Sequence, residues 1–120
     1  MSFRAHLEQL VNQVEGSVAS SLIGFDGIAI DTLTAQEPGV DLSAMLVEYG
    51  AILSRLKEAA AALEAGTISE VVINTEKLST IARLLTPEYF LVLALRPEGN
   101  FGKGRYALRI AAPRVKAELE

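Results

Sequence analysis

The chain has no cysteine and no tryptophan, a single histidine, four prolines and an aromatic content of 6%. Without cysteine there is no disulfide framework, no thiolate metal site and no cysteine nucleophile. That composition suits a reducing compartment. One histidine without cysteine is too little for a zinc centre, and a Ser-His-Asp arrangement would need partners set around that histidine at defined geometry. His6 lies beside the apolar stripe of the first helix and reads as a structural or surface residue. The carboxylates are scattered, with neither an Asp-x-Asp-x-Asp-Gly loop nor a His-Glu-x-x-His pair. No catalytic residue, metal ligand or cofactor is therefore expected. No apolar run reaches the ~18 residues of a membrane span. Residues 1–6 carry no apolar signal-peptide region, so a cytoplasmic location without membrane contact is expected. Positive charge is also scarce: the net charge is -4 over 120 residues, which argues against a nucleic-acid partner.

What the chain does have is apolar content: half its residues are hydrophobic, enough for a core in one domain spanning 1–120. Phe3, Leu7, Leu10, Val11 and Val14 recur at helical spacing and predict a helix over about 2–15, capped by Ser2 and ended by Gly16. The period then shortens to two. Ser17 to Ile23, the turn Gly24-Phe25-Asp26-Gly27, and Ile28, Ile30 and Leu33 beyond it read as a β-hairpin, with Ala29 and Asp31 opposite those three.

Asp41 is a good N-cap for a long helix over about 42–65, ended by Gly66. Its apolar arc, from Leu42, Met45 and Leu46 through Tyr49, Ile52, Leu53 and Leu56 to Ala60 and Leu63, is about 120° wide. The other side holds Ala44, Ala51, Ala61 and Ala62, which are small enough for close contact and are also good helix formers.

Three strands follow, over Glu70–Thr75, Leu78–Leu85 and Phe90–Leu95. The last is apolar at every position and is expected to be central, with helices on both sides. Pro97-Glu98-Gly99-Asn100 breaks the chain before a final helix, which Pro113 should kink or restart. Gly99-Asn100-Phe101-Gly102-Lys103-Gly104-Arg105 is glycine-rich but lacks the spacing and the Ser/Thr of a phosphate-binding loop. It reads as a turn in which Gly102 and Gly104 allow close packing. Residues 99–120 carry five basic side chains (Lys103, Arg105, Arg109, Arg114, Lys116) against two carboxylates. Such a face suits an acidic partner, although solvation accounts for most faces of this kind.

The element order, the Ser21–Asp31 hairpin, the long second helix, Glu70–Thr75 and Phe90–Leu95 together resemble the roadblock/LC7 family over essentially the whole chain, and its bacterial MglB-like branch in particular. The resemblance implies an α+β fold of the profilin/longin-like three-layer α/β/α kind. It has a five-stranded antiparallel sheet in the order α-β-β-α-β-β-β-α, two helices on one face and the long helix on the other. It makes the third strand an edge. An apolar edge at Val71, Val72, Ile73 and Asn74, lacking lysine and proline, is a liability that pairing with a second copy would remove. Ala51 and Ile52 would then meet across paired long helices.

The function implied is a homodimeric, non-catalytic regulator of a Ras-like small GTPase, in bacterial cell polarity or gliding motility. Glu48, Arg55 and Glu58 are its expected GTPase contacts. Arg96, beside Pro97, is the one arginine placed like a catalytic finger, but it reads as an ordinary solvated strand-end residue. The alternative is a dimeric scaffold or adaptor, binding a scaffold peptide or another roadblock chain with no effect on a nucleotide cycle.

Overall fold

Seven consecutive residues without a charge, Tyr89–Leu95, are stable as a strand only with cover on both faces, and the rest of the fold is arranged to supply it. The structure, a computed structural model, describes residues 2–120; Met1, the first residue of the expected domain, lies outside the described residues. The elements are α1 (Phe3–Gln13), β1 (Ser17–Gly24), β2 (Ala29–Thr34), α2 (Leu42–Ala62), β3 (Glu70–Asn74), β4 (Ser79–Leu84), β5 (Tyr89–Leu95) and α3 (Phe101–Leu119). The strands form one antiparallel sheet in the order β2-β1-β5-β4-β3. β5 is central and β3 an edge, as the family resemblance implies.

Register divides the side chains between two cores. Leu22, Leu91, Leu93 and Ile81 share one face and pack with Leu7 and Leu10 of α1, with Val14 just after it, and with Leu108, Ala112 and Val115 of α3. Ile23, Phe90, Val92 and Ala82 occupy the other face, beneath Leu46 and Leu53 of α2. Two buried serine hydroxyls of β1 bond to backbone: Ser20 Oγ donates to the Leu7 carbonyl at 3.1 Å and Ser17 Oγ to the Val14 carbonyl at 2.7 Å, whereas the buried Thr80 hydroxyl has no partner among the described residues. The serines tie β1 to α1 and to its C-cap, Val14.

Several sequence expectations need correction. α2 stops at Ala62, short of Gly66: Leu63 caps it and Glu64 turns left-handed at φ 57, where the Ala65 amide donates back to Ala60. α3 runs unbroken through Pro113. Pro113 is exposed, so the missing N–H falls on the solvent side while Ala112 and Val115 anchor the helix around it. Leu33 does not share a face with Ile30. It packs with the α1/α3 core, opposite Ser20, and Asp31 lies on that same face opposite Leu22. Gly104 alone provides the close approach expected of two glycines. A Cβ there would come within 3.1 Å of Leu95 and 3.2 Å of Ile81, whereas Gly102 faces open space.

Two contacts hold the α1/α3 layer together. Gly16, at φ +86, abuts Gly99 so closely that a Cβ would sit 2.5 Å from the Gly99 Cα, while the Arg96 amide donates to Gly16 and the Asn100 amide to Glu15. His6, buried on α1, bonds through Nε2 to the Glu118 carboxylate at the end of α3, which makes it structural. Partial burial is the largest single influence and works against ionisation of Glu118, but hydrogen bonds and positive charge, from His6 and from the terminal ammonium, together outweigh it and hold the carboxyl below its usual range.

Two outcomes are expected. Gly16→Ala forces a side chain into a left-handed position against backbone and should lower unfolding free energy by about 2 kcal/mol or more in urea titration; an unchanged midpoint would contradict the contact. For Glu118, the folded state favours the carboxylate, so its stabilisation is present above the unfolded carboxyl range and is lost as pH falls through the lower folded value. The melting-temperature gap between wild type and Glu118→Gln should be widest near neutrality and close below about pH 4; a gap independent of pH would contradict the assignment.

Candidate interaction surface

α2 is a long helix because Asp41 accepts the Ala44 amide at 3.1 Å and no proline or glycine-rich break follows until residue 66. Three contacts fix its position. Gly50 sits against the Phe25 carbonyl, where a Cβ would approach to 3.2 Å. Phe25 stacks on Phe90 at 5.0 Å between centroids. Lys57 lies 3.7 Å over the Phe25 ring and donates to the Pro87 carbonyl at 2.8 Å.

Of its 21 residues, only Leu46, Gly50 and Leu53 are buried. The apolar arc expected to face the core is therefore only half used. Ile52 is 45% exposed, Leu56 40% and Leu63 78%. These positions follow Met45 and Tyr49 along one flank of the helix. Met45 packs near Leu78, at the β3–β4 turn, whereas Val47 on the opposite flank meets Gly27 of the β1–β2 turn. The uncovered stripe thus looks toward the β3 margin.

β3 is the margin with least protection. At the other edge, β2 carries Asp31, a register shift opposite Leu22/Ile23 and a hydrogen bond from Arg4 to the Thr32 carbonyl. On β3, Val71, Val72 and Ile73 are half-buried on both faces, and the only charge, Glu70, is engaged by Arg105 at 2.7 Å and Arg83 at 3.7 Å. The Leu84 amide donates to Ser69 and the Thr75 amide to Leu78. By antiparallel alternation, the N–H and C=O groups of Glu70, Val72 and Asn74 point away from β4. A half-covered apolar stripe and an open row of backbone groups therefore adjoin.

The residues singled out from sequence divide between two places. Val71, Val72, Ile73 and Asn74 lie on the open edge. Ala51 and Ile52 are exposed on α2, as are Glu48, Arg55 and Glu58 on its outward side. Among the described residues none of that charged trio has an ion-pair partner. Arg96 does not project freely: its guanidinium donates to the Glu37 carbonyl at 2.7 Å and to the Gln36 side chain at 3.4 Å.

Leu56 and Leu63 belong to the surface although their spacing assigned them to the core; an arc wider than one sheet face accommodates was the available signal. Beyond Leu56, the chain after α2 and the β4–β5 turn frame a groove of about 860 Å³, lined by Ala61, Ile68, Leu84 and two lysines, Lys57 and Lys116. No helix is long and apolar enough to cross a membrane among the described residues.

No protein-family model matches the chain, and no curated protein does. Among solved structures, MglC from Myxococcus xanthus is 56% identical, with 98% of this chain and 99% of that one covered at a TM-score of 0.71. A roadblock/LC7 domain from Streptomyces avermitilis is 14% identical, with 99% and 98% covered, at a TM-score of 0.83. The gliding protein MglB from Thermus thermophilus is 18% identical, with 96% and 88% covered, at 0.81. The last two show the shared fold; the identity to MglC shows kinship. On that identity, carried on a backbone common to MglB and the Streptomyces domain, the chain belongs to the roadblock/LC7 family as a bacterial MglB-like member.

Proposed function

We propose that this chain is a homodimeric, non-catalytic regulator of a Ras-like small GTPase, working in an Mgl-type system of gliding or cell polarity. The observation that carries it is the apolar flank of α2 beside an unprotected β3. A second copy meeting the first across a two-fold axis would extend the sheet through β3 and bring two α2 helices side by side, with Ala51 and Ile52 at the seam. Covering the part of Ile52 and Leu56 that is still exposed, 45% and 40%, would contribute about 1 kcal/mol for each side chain. The paired helices would then present Glu48, Arg55 and Glu58 to the GTPase. Arg96, already bonded to the 36–37 segment, suits a strand-end support rather than an inserted finger. The gliding role is carried over from the description of the Thermus relative. A second reading, a dimeric adaptor that leaves the nucleotide cycle untouched, rests on the sequence distance from that protein: 18% identity, against 56% to MglC.

Light scattering should give a mass near twice 12.9 kDa for the wild type, and Ile52→Lys with Leu56→Lys should return it to the single-chain value without loss of helix signal. A wild type of single-chain mass at high micromolar concentration would contradict the dimer. The regulatory step is tested by single-turnover GTP hydrolysis by a Ras-like GTPase of the same organism. The chain should accelerate it, and Arg55→Glu should weaken the complex roughly fivefold. A complex with unchanged hydrolysis would select the adaptor reading, and absence of both would remove the GTPase from the account.

A further inference from the structure

The outward side of α3 has a composition that neither the core nor the proposed dimer explains. Residues 99–120 hold five basic groups against two carboxylates, while the rest of the chain holds six against thirteen. Arg105 is taken up by Glu70. Lys103, Arg109, Arg114 and Lys116 have no ion-pair partner among the described residues.

Between those cations Tyr106 is 54% exposed and Ile110 40%, with the Arg109 guanidinium 5.6 Å from the Tyr106 ring. Lys103, Tyr106, Ile110 and Arg114 follow one another at spacings of three and four, a single stripe about 16 Å long. Across the adjoining groove α1 contributes Gln9 and Gln13, which are neutral, so no carboxylate from that side balances the stripe.

Helix stability does not account for this pattern. Lys103 stands in the first turn, where the helix dipole disfavours cations and where no acidic residue is present. Arg105 and Arg109 are like charges four apart, an arrangement that costs a helix stability. Lys103 and the Arg105/Arg109 pair thus stand against the local electrostatics of α3, and only Lys116, in the last turn, is favoured by the helix dipole.

We propose that the outer face of α3 docks an acidic segment of a partner protein, one whose carboxylates meet Lys103, Arg109 and Arg114 while an intervening apolar side chain rests on Tyr106 and Ile110. The local charge favours this occupant: cations without ion-pair partners among the described residues flank the exposed Tyr106 and Ile110. A bilayer would need an apolar face of α3 to insert, and that face is committed to Leu108, Ala112 and Val115 in the core. This face lies on the opposite side of the sheet from α2, so the inference stands apart from the dimer and GTPase readings.

The test is fluorescence anisotropy of the intact protein with a fluorescein-labelled peptide of repeated Glu-Glu-Leu units, beside the same peptide with lysine for glutamate. The acidic peptide should bind and weaken with added salt, and the lysine peptide should not bind. Arg109→Glu with Arg114→Glu should weaken binding about tenfold or more, with circular dichroism and melting as in wild type. Should that variant fail to fold, Arg109→Gln with Arg114→Gln should give a smaller loss of the same sign. The proposal is overturned if the wild type ignores the acidic peptide, if neither pair of substitutions weakens binding, or if the lysine peptide binds equally. It is also overturned if vesicles of phosphatidylserine and phosphatidylcholine bind more tightly than the peptide, or if the substitutions abolish self-association instead. None of these readings uses a GTPase, so their outcome is separable from the regulatory assay.

Discussion

Backbone amides and carbonyls along the margin of a sheet must bond to something, and in this chain that demand falls on β3. Its neighbours are arranged around β5, which is apolar throughout and covered on both faces. Once β5 is central, β1 and β4 flank it and β2 and β3 become the two margins. β2 is blunted by Asp31, by a register shift and by Arg4. β3 has no register shift, its one charge, Glu70, stands at its first residue and is engaged by Arg105 and Arg83, and it leaves the Glu70, Val72 and Asn74 backbone groups directed outward.

The two helical layers differ for a related reason. α1 and α3 are fastened to the sheet and to each other by the Gly16–Gly99 approach, the Gly104 contact with Leu95 and Ile81, and the His6–Glu118 pair. Their buried residues close one core. α2 is held at Gly50, Phe25 and Lys57 and buries three of its 21 residues, leaving Ile52, Leu56 and Leu63 in water on the flank nearest β3. A helix so apolar and so little buried has room for a second contact, and the open strand beside it indicates where that contact falls. The α1/α3 side instead faces outward with charge.

How far the sequence was readable follows from the range of the interactions involved. Ser2, Asp41 and Gly16 act within a few residues, and the helix starts and the left-handed turn they signal are where their chemistry places them. The alternation over Ala19–Ile23 and the unbroken apolarity of Phe90–Leu95 report burial directly, and the two cores divide accordingly, whereas a register shift between Ser17 and Ala19 brings Val18 and Ala19 into one cluster with Leu78. The candidate surface was legible at Val71–Ile73 and Ile52. It was not at Leu56 and Leu63, because helical period identifies an apolar side but not whether the same chain supplies its cover. The end of α2 and the passage through Pro113 depend on non-local support: a left-handed Glu64 in one case and core anchors on either side of a proline in the other. The neutral partner of the α3 stripe, Gln9 and Gln13 of α1, is likewise a matter of tertiary placement.

The central claim is that the β3 margin is closed by a second copy of the chain. Hydrogen exchange of the Val72 and Asn74 amides, followed by NMR over a dilution series, tests it most directly, because those amides have no partner within one chain. The account expects slow exchange at high protein concentration that becomes fast on dilution, while the Val92 and Leu93 amides of β5 stay protected throughout. Fast exchange of Val72 and Asn74 at every concentration would contradict it.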